Sequence, residues 1–165
     1  RFRPVGGVMV FARTSKSASR LSEQIRNKTF QKTYIATVDG KFENSKGSLE
    51  DYLFKDERHN ISKVVNAEKK NAKLAKLKYE VLDYDEKREL SIVRINLYTG
   101  RHHQIRVLFA NAGHSLYGDQ KYGSRGKGKQ KRLWAYEICF EHPVKKEIMC
   151  FKSVPPFVNR DYVEV

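Results

Sequence analysis

The 165-residue chain is poor in cysteine and in long apolar runs. Its two cysteines, Cys139 and Cys150, are too few for a disulfide framework or a zinc ligand set, so we expect a reducing, cytoplasmic setting. No stretch approaches the roughly 18 apolar residues of a membrane span. Residues 1–10 lack the apolar segment of a signal peptide. These absences predict a soluble protein and exclude the membrane and disulfide-rich secreted classes.

Acidic side chains are also scarce, with 19 Asp and Glu against 33 Lys and Arg, which leaves a net charge of +14. This imbalance predicts a polyanionic partner, and nucleic acid fits best. The hydrophobic fraction of 39% is sufficient for one core at this length. We therefore expect one domain over 1–165, without internal repeats, and a monomer.

Apolar periodicity and turn residues predict eight strands and two helices. The strands are expected over 5–12, 32–38, 49–54, 61–65, 75–83, 90–97, 132–140 and 147–152, and the helices over 15–28 and 99–113. The first strand is apolar throughout, which predicts a central place in the sheet. Ser15 is the candidate N-cap of the first helix, which is expected to bury Ala18, Leu21 and Ile25. The order predicts an α+β fold, in which a few helices flank a mostly antiparallel mixed sheet.

The segment 99–123, TGRHHQIRVLFANAGHSLYGDQKYG, concentrates polar chemistry at the start of the second helix. Thr99 is the expected N-cap, and Arg101, His102, His103 and Arg106 follow within two turns. Free N–H groups and the helix dipole favour an anion such as phosphate there. A solvated basic helix start is the alternative.

A second basic segment, SRGKGKQK at 124–131, has no apolar residue. It predicts a mobile loop whose Arg125, Lys127 and Lys129 follow RNA phosphates. The alternative is a solvated surface turn.

Four ordered segments resemble the RluA-like family of RNA pseudouridine synthases and span nearly the whole chain. They are RPVGGVMVFART at 3–14, QKTY at 31–34, TGRHHQIR with GHSLYGDQKYG over 99–123, and LWAYEICFEHP at 133–143. The third is the most specific. The resemblance implies part of that family's catalytic-domain fold, without its N-terminal segment. It also implies an isomerase that converts uridine in ribosomal or transfer RNA into its C-glycoside isomer.

The resemblance further implies a reaction on a flipped uridine that needs no cofactor or metal. A carboxylate attacks C1′ of the ribose or C6 of the base, the glycosidic bond breaks, and the base turns and rejoins through C5. By motif position, Tyr34 stacks on the base and helps to remove the C5 proton, and Arg106 pairs with the carboxylate. The implied RNA contacts outside the 124–131 loop are Arg3, Lys32, Arg101, His102, His103 and Gln104.

Each of these residues also has an ordinary structural interpretation. Tyr34 is alternatively a core tyrosine, and Arg106 an arginine that extends to solvent. His102 and His103 are alternatively surface histidines with satisfied hydrogen bonds. For Asp119 we expect the ordinary role, a turn residue that caps a backbone N–H.

The chain departs from the family at the nucleophile. The family motif reads HRLDR, whereas this sequence begins Arg1-Phe2-Arg3-Pro4, so the aspartate is absent at or beside Phe2. Three explanations are open: an incomplete record of an active enzyme, a fragment that folds without turnover, or an RNA-binding relative without the chemistry. The first is favoured because Tyr34, Arg101 and Arg106 remain at motif positions. We expect the chain by itself to be inactive.

Overall fold

The computed structural model describes residues 5–123 and 131–159, and an eight-stranded sheet forms its centre. The strands are β1 (Gly6–Gly7), β2 (Gln31–Asp39), β3 (Lys46–Asp56), β4 (Ile61–Val65), β5 (Lys73–Asp85), β6 (Leu90–Leu97), β7 (Leu133–Glu141) and β8 (Ile148–Lys152). The helices are α1 (Ser15–Arg26), α2 (Gln104–Asn111) and a short 3-10 helix (Gln120–Tyr122). The predicted α+β class is confirmed.

The strand order is β1-β7-β2-β6-β5-β3-β4, and β8 pairs with the C-terminal half of β7. Only the β1–β7 pair is parallel among the described strands. Strand β2 lies between β7 and β6, so Tyr34 is held from both sides by backbone ladders. A side chain in this position has a fixed direction, which suits a binding site.

A β-bulge interrupts the pairing of β2 with β7. Thr33 is opposite Glu137, but Tyr34 is opposite Ala135, which leaves Tyr136 as the extra residue on β7. The ring of Tyr136 packs with Ile35 in a separate apolar cluster. Because opposite residues on paired strands share a face, the small side chain of Ala135 is the neighbour of Tyr34.

The main core lies between the sheet and α2. Its fully buried members include Phe109 and Leu108 of α2 and Val38, Leu77 and Ile95 of the sheet. Burial of such a side chain contributes about 1.5–3 kcal/mol. The core therefore fixes α2, and with it every functional side chain at the start of that helix.

The predicted central strand over 5–12 is wrong. Only Gly6–Gly7 pairs, at the edge of the sheet, and Met9 and Phe11 are exposed. An apolar run reports hydrophobicity, but it does not identify the neighbours that cover it. Gly7 adopts a φ of +121°, and a Cβ there would lie 2.2 Å from the Ala135 carbonyl oxygen, so this turn of the chain requires glycine.

The N-cap of α1 is Thr14, one residue before the expected position. Thr14 accepts a hydrogen bond from the Ser17 amide, so the expected N-cap at Ser15 is wrong. Of the three residues expected on the buried stripe, Leu21 is buried, whereas Ala18 and Ile25 are exposed.

The two cysteines form a disulfide across β7 and β8. Cys139 and Cys150 are directly opposite in the strand register, with Cα atoms 4.2 Å apart. This bond differs from the expectation of a chain without disulfides, because cysteine count does not reveal which thiols the register brings together. No helix within 5–123 or 131–159 has the length and apolar character needed to cross a membrane.

Candidate active site

A cavity of about 420 Å³, here called the central cavity, lies between β1, the start of β2 and the first turn of α2. Tyr34 and Arg106 both line it. Its volume falls within the roughly 300–1,000 Å³ of small-molecule sites. The structure thus brings together the two residues to which the sequence assigns catalytic roles.

Tyr34 is partly buried, and its hydroxyl makes no hydrogen bond with any residue in 5–123 or 131–159. Burial raises the pKa of this phenol above its usual value. The phenol is therefore neutral at physiological pH. Its side chain lines the central cavity and also packs against the main core cluster, so Tyr34 is both a core contact and a cavity residue.

Arg106 is buried, with 8% of its surface exposed, so it does not extend to solvent. Its Nε and Nη2 donate to the two carboxylate oxygens of Asp119 at 2.5 and 2.7 Å. The ring of Tyr122 lies 4.7 Å from the guanidinium carbon. The guanidinium is therefore held on two sides, and Nη1 takes no part in the pair with Asp119.

Asp119 corrects the sequence interpretation. It is 1% exposed, and it makes no side-chain cap to a backbone N–H, so the expected capping role is wrong. Its carboxylate instead compensates the buried charge of Arg106. The partners are 13 residues apart in sequence, and only the turn after α2 brings them together.

The start of α2 also differs from expectation. The helix begins at Gln104 after His103, whose φ of +53° is left-handed, so Thr99 is not its N-cap. Thr99 Oγ1 donates to Gln104 Oε1 at 2.7 Å and accepts from the Lys76 amide. The threonine therefore ties the loop to β5.

Gln104 holds this loop together from the inside. It is buried, its Oε1 accepts from the Arg101 amide, and its Nε2 donates to the Lys76 carbonyl. Because these contacts use its amide inside the protein, Gln104 acts as a brace for the loop. Contact between Gln104 and RNA stays a prediction.

The two histidines face different partners. His103 lines the central cavity, and its Nδ1 lies 2.8 Å from the Tyr122 hydroxyl. That hydroxyl also accepts from the Ser62 amide, so one phenol oxygen links His103 to β4. Burial, followed by the charge of Arg106, lowers the pKa of His103 to about 3. His103 is thus a neutral imidazole at physiological pH.

His102 turns away from the central cavity, and its Nδ1 lies 2.8 Å from Ser62 Oγ. Burial, followed by the charge of Lys55, lowers the pKa of His102. His102 is therefore mainly neutral near pH 7. The sequence did not single out Ser62 or Tyr122, although Tyr122 lies within the GDQKYG part of the resembling motif.

Four of the predicted RNA contacts line the central cavity: Lys32, Arg101, His103 and Gln104. Arg101 is exposed and donates from Nε to the Leu74 carbonyl at 2.9 Å. The remaining predicted contacts lie outside the described residues: Arg3, Arg125, Lys127 and Lys129.

No carboxylate lines the central cavity among the described residues. Asp119 lies behind Arg106 and is already paired. Likewise, no group of three His, Cys, Asp or Glu side chains in 5–123 and 131–159 has the arrangement of a metal site. The central cavity therefore offers a phenol ring, a guanidinium and a neutral imidazole, groups that can stack on a planar molecule and pair with an anion.

Comparison with known proteins gives a consistent result. A family model described as RNA pseudouridylate synthase matches residues 3–111. An uncharacterised RNA pseudouridine synthase of Aquifex aeolicus is 31% identical over 164 residues, which cover 93% of this chain and 51% of that protein. A counterpart in Bacillus subtilis is 33% identical over 91% of this chain and 49% of its own length. The chain thus spans about half the length of these relatives.

Two further similarities concern function and fold. The ribosomal large subunit pseudouridine synthase C of Haemophilus influenzae is 30% identical over 92% of this chain and 48% of its own length. The solved structure of human RNA pseudouridylate synthase domain containing 1 superimposes with a TM-score of 0.76 at 21% identity, covering 89% of this chain and 63% of that one. At this identity the superposition shows the fold alone. The chain belongs to the RNA pseudouridylate synthase family.

Proposed function

We propose that this chain forms the part of an RNA pseudouridine synthase catalytic domain that receives the flipped uridine. The observation that carries the proposal is the central cavity, where Tyr34 and Arg106 line one space beside the start of α2. The neutral ring of Tyr34 stacks on the base, and a raised pKa favours a phenol over a phenolate in that role. His103 and Arg101 also line this cavity.

Arg106 orients an anion in this scheme. Asp119 occupies its Nε and Nη2 and sets the plane of the guanidinium. Nη1 then serves as the donor for a nucleophilic carboxylate, with the N-terminus of α2 adding a favourable dipole. The chain carries no aspartate at or beside Phe2, so residues 1–165 alone are expected to be inactive.

The substrate class is structured RNA, ribosomal or transfer. Support comes from the net charge of +14 and from the Haemophilus influenzae relative, which is named for the ribosomal large subunit. We propose one domain acting as a monomer in the cytoplasm. The disulfide gives no support to the reducing setting from which the cytoplasmic location was inferred.

Tritium release from C5-labelled uridine in RNA tests the proposal. The chain is compared with a version whose N-terminus restores the sequence His-Arg-x-Asp-Arg. We expect release only from the restored protein, and a restored protein that releases nothing refutes the enzyme interpretation.

Tyr34→Phe in the restored protein separates stacking from proton transfer. Phenylalanine keeps the ring, so RNA binding is retained, whereas tritium release is lost because the hydroxyl that helps to remove the C5 proton is absent. Tyr84→Phe, at the far end of β5, is the matched control and leaves both unchanged.

A second candidate is an RNA-binding relative that does not perform the chemistry. The absence of a carboxylate from the described lining of the central cavity favours it. It predicts salt-sensitive RNA binding by both versions and no tritium release from either.

A further inference from the structure

Three cavities meet at one exposed residue, Gly100. It lines the central cavity and also two others. The basic cavity, about 640 Å³, lies towards the β3–β4 hairpin and includes Arg58, Lys73 and His102. The edge cavity, about 350 Å³, lies towards β2 and the end of β6 and includes Lys28, Lys32 and Tyr98. Gly100 is therefore a lining residue that all three cavities share.

Nothing in the described protein requires glycine at position 100. A Cβ built there would meet no atom within 4 Å, and its φ is not among the positive values. Gly6 is the opposite case, because its Cβ would lie 2.1 Å from the Trp134 ring. The open space above Gly100 is thus available to a molecule outside the protein.

The basic cavity has the charge to hold phosphate. Arg58 and Lys73 form no ion pair with the described residues, whereas Lys55 is paired with Glu57. Asp56 is engaged with His59. Two cationic side chains therefore remain for an external anion.

The edge cavity combines cations with a half-exposed ring. Lys28 and Lys32 line it without an acidic residue in its lining. Tyr98 is 43% exposed, and the ammonium of Lys78 lies 5.6 Å from its ring centre. A ring beside cations is the combination that binds single-stranded nucleic acid, through base stacking and phosphate contact.

We propose that a single strand of RNA crosses the protein at Gly100. The target base enters the central cavity, the nucleotide on one side lies in the basic cavity, and the nucleotide on the other side lies in the edge cavity. This inference rests on the proposed function, because it uses the central cavity as the base site. It makes Gly100 the point over which the RNA backbone turns.

A size series at Gly100 tests the passage. The probe is a fluorescent single-stranded RNA of roughly ten nucleotides containing uridine, with binding followed by anisotropy. Gly100→Ala should bind nearly as well as the parent, whereas Gly100→Leu should bind about tenfold more weakly or worse, the equivalent of one lost stacked base. Thermal melting of both variants should match the parent. A bulky control, Ser19→Leu on the exposed face of α1, should bind normally.

Salt dependence tests the two flanking cavities separately. Each phosphate contact to a single strand contributes about 0.7 to the slope of log K against log salt. Lys73→Gln and Lys28→Gln should each reduce that slope by about 0.7. Lys87→Gln carries the same charge change, but Lys87 lies in the turn before β6. The length of β6, about 26 Å, separates it from Gly100. Its slope should equal the parent's.

The outcomes are distinct from those of the catalytic test. Binding of Gly100→Leu at parental affinity overturns the proposal. An unchanged slope in Lys73→Gln or in Lys28→Gln removes the corresponding cavity from the path and overturns the three-way arrangement. All these measurements use binding by the chain as it is, so they remain informative even if the restored protein releases no tritium.

Discussion

The pair of Arg106 with Asp119 yields the sharpest stability prediction. Asp119→Ala leaves a guanidinium that is only 8% exposed without its anion. Loss of one partner from a buried ion pair costs about 3–5 kcal/mol. Arg106 also lines the central cavity, where water can approach it, and Tyr122 retains its ring contact. We therefore expect the lower end, about 3 kcal/mol, or roughly 6–12 °C in melting temperature.

Urea unfolding at neutral pH measures this loss. The matched control is the pair of Lys55 with Glu57, whose 2.7 Å separation is similar but whose side chains are 39% and 77% exposed. Glu57→Ala should cost no more than about 1 kcal/mol, because water screens an exposed pair. Comparison of the two variants isolates burial as the cause.

A double variant provides the second half of the test. Arg106→Met combined with Asp119→Leu removes both charges and fills the space with apolar atoms. This double variant should be more stable than Asp119→Ala alone. A loss below about 1 kcal/mol in Asp119→Ala, or a double variant no more stable than the single one, would refute the argument.

Three further predictions concern neighbouring features. Tyr122→Phe removes the acceptor of the Ser62 amide and should cost about 1–3 kcal/mol in urea unfolding; an unchanged midpoint contradicts the contact. The pKa of His103 is lowered from 6.5 to about 3, so between these values the unfolded chain binds a proton at this residue that the folded chain does not bind. The free energy of unfolding should therefore fall as pH drops from about 6.5 towards 3. His103→Asn should flatten that fall, and a fall of equal steepness would show that other groups cause it. Reduction of the Cys139–Cys150 disulfide, which closes a loop with a separation of 11 residues, should cost about 3 kcal/mol, and equal melting temperatures before and after reduction would contradict this.

Most of the sheet could be predicted from local sequence. The expected strands 61–65 and 90–97 coincide with β4 and β6. The expected strand 32–38 falls short of β2 by one residue at each end. Alternation of apolar and polar residues is a property of neighbouring positions, so sequence reveals it directly.

The wrong predictions concern features that are determined by residues distant in sequence. The expected strand 5–12 failed because its covering neighbours are not encoded in its own hydrophobicity. The N-cap of the second helix was expected at Thr99, but it is His103, four residues later, where the backbone is left-handed and Gln104 holds the preceding loop. Asp119 was misjudged because its partner lies on another element, although the convergence of Tyr34 with Arg106 on one cavity agrees with their motif positions.

The β-bulge opposite Tyr34 has a consequence for the size of the binding space. Had β7 kept the register of the Thr33–Glu137 pair without a bulge, Tyr136 would be opposite Tyr34, and both rings would lie on the same face of the sheet. The insertion turns one ring to the reverse side of the sheet and presents a methyl group in its place. The space of the central cavity beside Tyr34 is thus created by the shift in strand register, and not by small side chains along the whole lining.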